Sequence, residues 1–403
     1  MRGGPSRGWP AIVVALAMLA ACTSGADAED EVRAAATTAA PTLDPTTTAP
    51  APPPPTTTTS VVDDATILLA WTSGGLPVGF SAAASQRPEV QGTTIVLGGQ
   101  ADLVESRRAD GTIVDTAPDT WAYPLDTLAV APDTFARFIN DPDDRARIGG
   151  LQPGQALLTE SSAALRRLDV GGALALRGGV VTVVGVISDR GGSEAELLVH
   201  AGDAATFGVD TERFVLMVHD PAQRASLDAA LVDLAGSNPV HLRTVADTTR
   251  FRQGDSVVPL VYIKLAFGEF VYRDRPGRAV EIDPAWVDAN IVTARVPILG
   301  TVHCNRVMIE PLTAALGQLE AEGLAHVIDP ATYAGCWNPR RIVAGMPLSK
   351  HSWGIAADVN VIGNPRGTFE TQDPRFTQLM RDQGFAWGGD WQVADPAHYE
   401  LDP

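Results

Sequence analysis

The spacing of apolar residues takes four forms in turn along this chain. Ala11 to Ala21 is a continuous apolar block behind the cations Arg2 and Arg7, too short to span a bilayer, and it predicts an export signal over 1–21. From Thr23 to about Ser60 the pattern stops. Ala, Thr and Pro dominate, with Pro52–Pro55 followed by Thr56–Thr59. Such a stretch cannot build a core, so 22–62 reads as a disordered, extended linker with a reach on the order of 100 Å. Short β-like runs then appear, among them Thr94–Leu97 and Val180–Ile187, separated by Gly-rich turns. Glu160–Leu168 has helical spacing, Val170-Gly171 turns the chain, and Gly178-Gly179 between Ala173–Leu176 and Val180–Ile187 predicts a hairpin.

The last part mixes both periods. Pro311–Glu322 predicts a helix with Leu312, Leu316 and Leu319 on one face, Pro in the first turn and Gly323 as its stop. Asp373-Pro374 predicts the start of another, with Phe376, Leu379 and Met380 inward and Gly384 at its end. Gly354–Val361 reads as strand. Helices mixed with strands predict an α+β fold: a C-terminal domain over 251–403 around an antiparallel sheet with flanking helices, preceded by a β-rich α+β domain over 63–250.

Composition adds little to this. A length of 403 residues with 45% hydrophobic content supports two folded domains. The net charge of −18 argues against a nucleic-acid partner, which favours a basic face.

The chemistry lies near the C-terminus. Ser349-Lys-His351-Ser-Trp-Gly354-Ile-Ala-Ala-Asp358 and Asp395-Pro-Ala-His398-Tyr-Glu400 offer two histidines and an aspartate as metal ligands, with another carboxylate three residues before His398. A catalytic zinc site needs three protein ligands, an open position and a nearby base. The spacing of seven between His351 and Asp358 is too long for one helical face and suits a loop running into a strand. Glu400, two after His398, shares its face in a strand and can orient the imidazole. Ser349 lacks a Gly-x-Ser-x-Gly or Ser-x-x-Lys setting and reads as a loop-ordering hydroxyl. Trp387 and Trp391 read as core and site wall, and His303 and His326 as structural.

These motifs, with Gly384-Phe-Ala-Trp387-Gly-Gly-Asp-Trp391 between them and Tyr333-Ala-Gly-Cys336 and Asn338-Pro-Arg340 ahead, resemble the zinc D-alanyl-D-alanine carboxypeptidases. That is peptidase family M15, which includes VanY and VanX types and L-alanyl-D-glutamate endolysins. The resemblance covers about Val296–Glu400. It implies zinc held by His351, Asp358 and His398, Asp395 as general base, and Arg340 on the substrate, with adjacent Arg341 as the alternative. The implied substrate is a peptidoglycan stem peptide. Endopeptidase cleavage and a non-catalytic wall-binding role are the competing readings. Tyr399 stands where that family often has Phe.

Leu19-Ala20-Ala21-Cys22 resembles a bacterial lipobox, which implies cleavage before Cys22 and lipidation of that residue, anchoring the chain to the outer face of the cytoplasmic membrane. With Cys22 lipidated, Cys304 and Cys336 remain, the arrangement expected of one disulfide in an exported chain. The alternative places Cys304, beside His303, in a metal site. Gln155–Asp189 resembles the extracytoplasmic core domain of macrolide-exporter and FtsX-like permeases; the first domain shows no catalytic constellation and reads as an interaction or structural module with a protein partner.

Overall fold

The computed structural model describes residues 62–403 apart from 73, 239, 245–257, 344–346, 369–370 and 392. The expected signal, Cys22 and all but the last residue of the 22–62 linker lie outside the described residues.

Residues 67–244 build one large sheet. Its strands are β1 (Ile67–Trp71), β2 (Val90–Arg107), β3 (Ile113–Thr116), β4 (Tyr123–Val130), β5 (Gln155–Thr159), β6 (Ala173–Leu176), β7 (Gly179–Ile187), β8 (Leu197–His200), β9 (Thr211–His219) and β10 (His241–Thr244). β2 is far longer than the run Thr94–Leu97 implies, because it serves several neighbours. One edge pairs with β9 over Val90–Gly98 and then with β6 over Leu103–Arg107. β4 pairs with it over Leu97–Leu103. At Gly98 a Cβ would stand 2.8 Å from the Thr127 carbonyl, so glycine permits that close pairing. The path β2–β4–β8–β5–β7–β6 returns to β2, and this ring leaves its strands without free edges. Neighbouring residues alternate between two apolar clusters: Leu157 and Leu198 join one, Leu158 and Leu197 the other. The hairpin predicted at Gly178-Gly179 forms, with β6 and β7 antiparallel.

The C-terminal part has mixed helices and strands as expected, but three small antiparallel sheets replace a single one. They are β11 (Tyr272–Asp274) with β12 (Val280–Ile282), β13 (Ile291–Val296) with β14 (Gly300–Asn305), and a sheet of β15 (Ala356–Asp358), β16 (Phe385–Trp387) and β17 (His398–Leu401) in the order β15–β17–β16. The helices Arg306–Ala321 and Pro374–Asp382 pack Leu312, Leu316, Leu319, Phe376, Leu379 and Met380 into one core.

Two boundaries differ from expectation. The first helix starts at Arg306, because the Asn305 side chain accepts the Val307 amide at 3.2 Å and caps it there. Pro311 therefore lies inside the helix rather than in its first turn, and the Val307 carbonyl loses one amide partner. The strand expected over Gly354–Val361 shrinks to Ala356–Asp358, because Gly354 at φ +67° and Asn360 at φ +57° bend the chain on either side.

Buried charges join the two parts. Lys264, fully buried, donates to both Glu196 carboxylate oxygens at 2.7 and 2.9 Å and lies 2.8 Å from Glu269. Arg166, also fully buried, pairs with Asp115 at 3.2 Å and with Glu269. Among the described residues no helix is long and apolar enough to cross a membrane.

Candidate metal centre

Strand register assembles half of the site. β15 and β17 are antiparallel with Asp358 directly opposite His398, and His398 Nδ1 lies 2.9 Å from Asp358 Oδ1. Glu400, two residues on, shares the face of His398, and its Oε2 lies 3.4 Å from His398 Nε2. A turn supplies the other half. Ser349 caps the short 3₁₀ turn Lys350–Ser352, its hydroxyl accepting the His351 amide at 3.4 Å. Past that turn Gly354 adopts its left-handed conformation, and a Cβ there would stand 2.8 Å from the Asn305 amide nitrogen.

The Trp387-Gly388-Gly389-Asp390-Trp391 segment seats the last motif. The Asp395 amide donates to the Gly388 carbonyl at 2.8 Å, and the His398 amide donates to the Asp395 carbonyl at 3.0 Å. A Cβ on Gly388 would lie 2.5 Å from that Asp395 carbonyl, so only glycine lets the turn rest there. Trp391 forms a wall, its ring 5.0 Å from that of His398, and Trp387 is buried in the core.

One ligand atom from each of His351, Asp358 and His398 falls within 4.8 Å of the others. His351 Nδ1 lies 2.7 Å from the Cys336 carbonyl. A carbonyl only accepts, so Nδ1 carries the proton and Nε2 presents a bare lone pair. That Nε2 is buried, without a hydrogen-bond partner, and 3.1 Å from Asp358 Oδ2. The two facts agree: a lone pair and a carboxylate oxygen are close in charge terms but share no proton. A cation between them resolves this, and two imidazoles plus one carboxylate form a donor set that zinc accepts. Outer partners are in place too, Cys336 for His351 and Glu400 for His398.

The Cys304–Cys336 disulfide forms, linking β14 to the segment that carries this carbonyl. The same segment brackets Asp358: the Ala334 amide donates to the Asp358 carbonyl at 2.9 Å, and the Asp358 amide donates to the Gly335 carbonyl at 3.2 Å. The alternative of Cys304 as a metal ligand therefore falls. His303 packs edge-on against Trp337 at 5.1 Å and stands outside the metal cluster.

Electrostatics follow from crowding. Burial alone would raise the Asp358 carboxyl, but its close contacts with the His351 and His398 imidazoles hold it far below the usual carboxylate range. Burial opposes charging of His398, yet Asp358 and Glu400 overcome that and push it up to about 10. Burial lowers His351, and Asp358 only partly compensates.

A pocket of about 230 Å³ opens over these residues, and both Asp395 and Arg340 line it. The Arg340 guanidinium comes within 3.9 Å of Asp358 Oδ2. Arg341 turns away, donating to Asp274 at 2.7 and 3.0 Å and to the Tyr272 hydroxyl at 2.8 Å. Arg278, Lys350 and Arg366 also line the pocket and were not anticipated. Lys350, next to His351, carried a positional hint; Arg278 and Arg366 lie in turns without a motif.

Residues 344–401 match the family profile described as D-alanyl-D-alanine carboxypeptidase, which supports a peptidase acting on the cell wall. No curated protein matches the chain. Among solved structures, the periplasmic region of MacB from Actinobacillus actinomycetemcomitans is 13% identical, with a TM-score of 0.31, covering 46% of this chain and 91% of that one. The extracellular domain of the noncanonic ABC-type transporter YknZ from Gram-positive bacteria is 12% identical, with a TM-score of 0.28, covering 44% and 98%. The one is described as a periplasmic region and the other as an extracellular domain.

Proposed function

We propose that this chain is a zinc-dependent peptidase that hydrolyses peptidoglycan stem peptides, as a D-alanyl-D-alanine carboxypeptidase. The observation that carries the reading is the bare, buried Nε2 of His351 facing Asp358, beside a pocket lined by Asp395 and Arg340. His351, Asp358 and His398 would hold the ion. Zinc bound there supplies Lewis-acid polarisation of a scissile carbonyl and lowers the pKa of a nearby water. Asp395 takes a proton from the attacking water and returns it to the leaving amine, so that one water adds across the broken C–N bond. Arg340 offers its charge to the carbonyl oxygen as negative charge develops there. Glu400 holds the His398 ring through Nε2, and Nδ1, beside Asp358, would be the nitrogen left to hold the ion. Ser349 orders the turn that carries His351.

The same reading places the chain outside the cytoplasm. A disulfide belongs to an oxidising compartment, lipid on Cys22 would tether the chain to the outer face of the cytoplasmic membrane, and the 22–62 linker would span toward the wall. The 63–250 and 251–403 parts then act as partner-binding and peptidase domains. Purified chain, with zinc or with chelator, is incubated with muropeptides and the products are weighed by mass spectrometry. Zinc-dependent loss of terminal D-Ala is expected. Cleavage after L-Ala instead would make it an L-alanyl-D-glutamate-type endopeptidase. No cleavage would leave a non-catalytic wall-binding lipoprotein.

A further inference from the structure

The large β-sheet gives no side chain to the metal pocket, yet it grips the backbone beside it. Gln100 stands on β2. Its Oε1 accepts the Leu348 amide at 3.0 Å, and its Nε2 donates to the Tyr272 hydroxyl at 2.7 Å. An amide nitrogen only donates, so these partners fix which end of the Gln100 carboxamide faces Leu348. The Tyr272 hydroxyl donates onward to Asp102, also on β2, and accepts from Arg341 at 2.8 Å.

Leu348 pairs with Arg341 in an isolated antiparallel bridge. The next residues on each side complete the arrangement: the Arg340 carbonyl accepts the Ser349 amide at 2.9 Å and the Ser352 hydroxyl at 3.1 Å. Adjacent residues in extended chain point to opposite sides. Arg340 thus faces the metal pocket while Arg341 is clamped at the rear by Asp274 and Tyr272. Gln100 contacts both halves of this narrow ladder, Leu348 directly and Arg341 through Tyr272.

We propose that Gln100 is a positioning residue for Arg340, so that the β-rich part is a working component of the peptidase site. The inference rests on the reading that Arg340 meets the substrate. Displacement of a catalytic group by about 1 Å costs on the order of a hundredfold in rate.

The test uses the full zinc-loaded chain and the synthetic peptide L-Ala-γ-D-Glu-L-Lys-D-Ala-D-Ala. Gln100→Ala should lower kcat/KM by roughly ten- to a hundredfold while zinc affinity, read by chelator competition, stays within about twofold. Gln100→Glu keeps the acceptor for Leu348 and should recover most of the loss. In an Arg340→Lys background, Gln100→Ala should cost no more than about twofold, because its effect runs through Arg340. Amide exchange over residues 347–353, read by mass spectrometry, should speed up in Gln100→Ala whether or not peptide is cleaved. Unchanged kcat/KM, additive losses with Arg340→Lys, a parallel fall in zinc affinity, or unchanged exchange would each overturn the proposal. If wild type leaves the peptide intact while exchange still speeds up in Gln100→Ala, the substrate assignment fails and the grip on the loop stands.

Discussion

The seam and the metal pocket each bury a charged cluster, and they are completed in opposite ways. At the seam, cations and acids answer one another: Lys264 bonds to Glu196 and pairs with Glu269, and Arg166 pairs with Asp115 and Glu269. Burial would raise Glu269, and Lys264 with Arg166 holds it below the usual range. Glu196 is raised, burial outweighing Lys264. In the pocket, His351 sets a lone pair against a carboxylate, and the cluster opens to a cavity holding another acid and an arginine. A cluster that sets cations against acids is structural, even with Arg166 Nε left unbonded, whereas one with acceptors turned on each other is built to receive a cation.

The largest expected effect is on rate. Asp395→Ala should reduce peptide hydrolysis by about 10²–10⁴-fold while bound zinc, measured by metal analysis, stays at wild-type level. Full activity in that variant would sink the assignment of the base. At the seam, Lys264→Met leaves Glu196 and Glu269 without their shared cation and should cost about 3–5 kcal/mol in denaturant unfolding, with the zinc content of folded protein unchanged. A stability-neutral Lys264→Met with lost zinc would reverse the roles of the two clusters. Glu400→Gln removes the charge behind His398 and should weaken zinc binding by roughly 10–100-fold without changing the products.

The mildest effect, taken per pH unit, is on pH dependence. His398 lies near 10 in the metal-free fold, above its ordinary value of about 6.5. Its pairing with Asp358 and Glu400 therefore stabilises the metal-free chain fully below about pH 6.5, and this stabilisation is lost as pH rises through 10. Thermal melts of chelated protein from pH 6 to above 10 should show that loss. Zinc displaces the same proton, so its apparent affinity should rise about tenfold per pH unit between roughly pH 6 and 8. A flat affinity profile would mean that His398 is not a ligand.

The pocket was far more legible in the sequence than the seam. His351, Asp358, His398, Asp395 and Glu400 sit in short motifs whose spacing reports turn and strand directly. The Arg340–Arg341 ambiguity needed the ladder with Leu348 and Ser349, which alternates the two side chains. The Cys336 carbonyl that sets the His351 tautomer is backbone, and backbone partners leave no residue signal. Gln100 meets Leu348 across 248 positions, and the return of β6 to β2 is a pairing in space. Lys264 alone offered a hint at the seam: a single cation inside the apolar run Leu260–Phe267.

Whether His351, Asp358 and His398 hold one zinc ion that hydrolysis requires is tested most sharply by titration. Zinc is stripped from the full chain, then returned in steps, while metal binding and release of D-alanine from the stem pentapeptide are followed together. Both should saturate at one zinc per chain, and Asp358→Ala should lose both. Hydrolysis indifferent to zinc, or tight binding that survives Asp358→Ala, would contradict this.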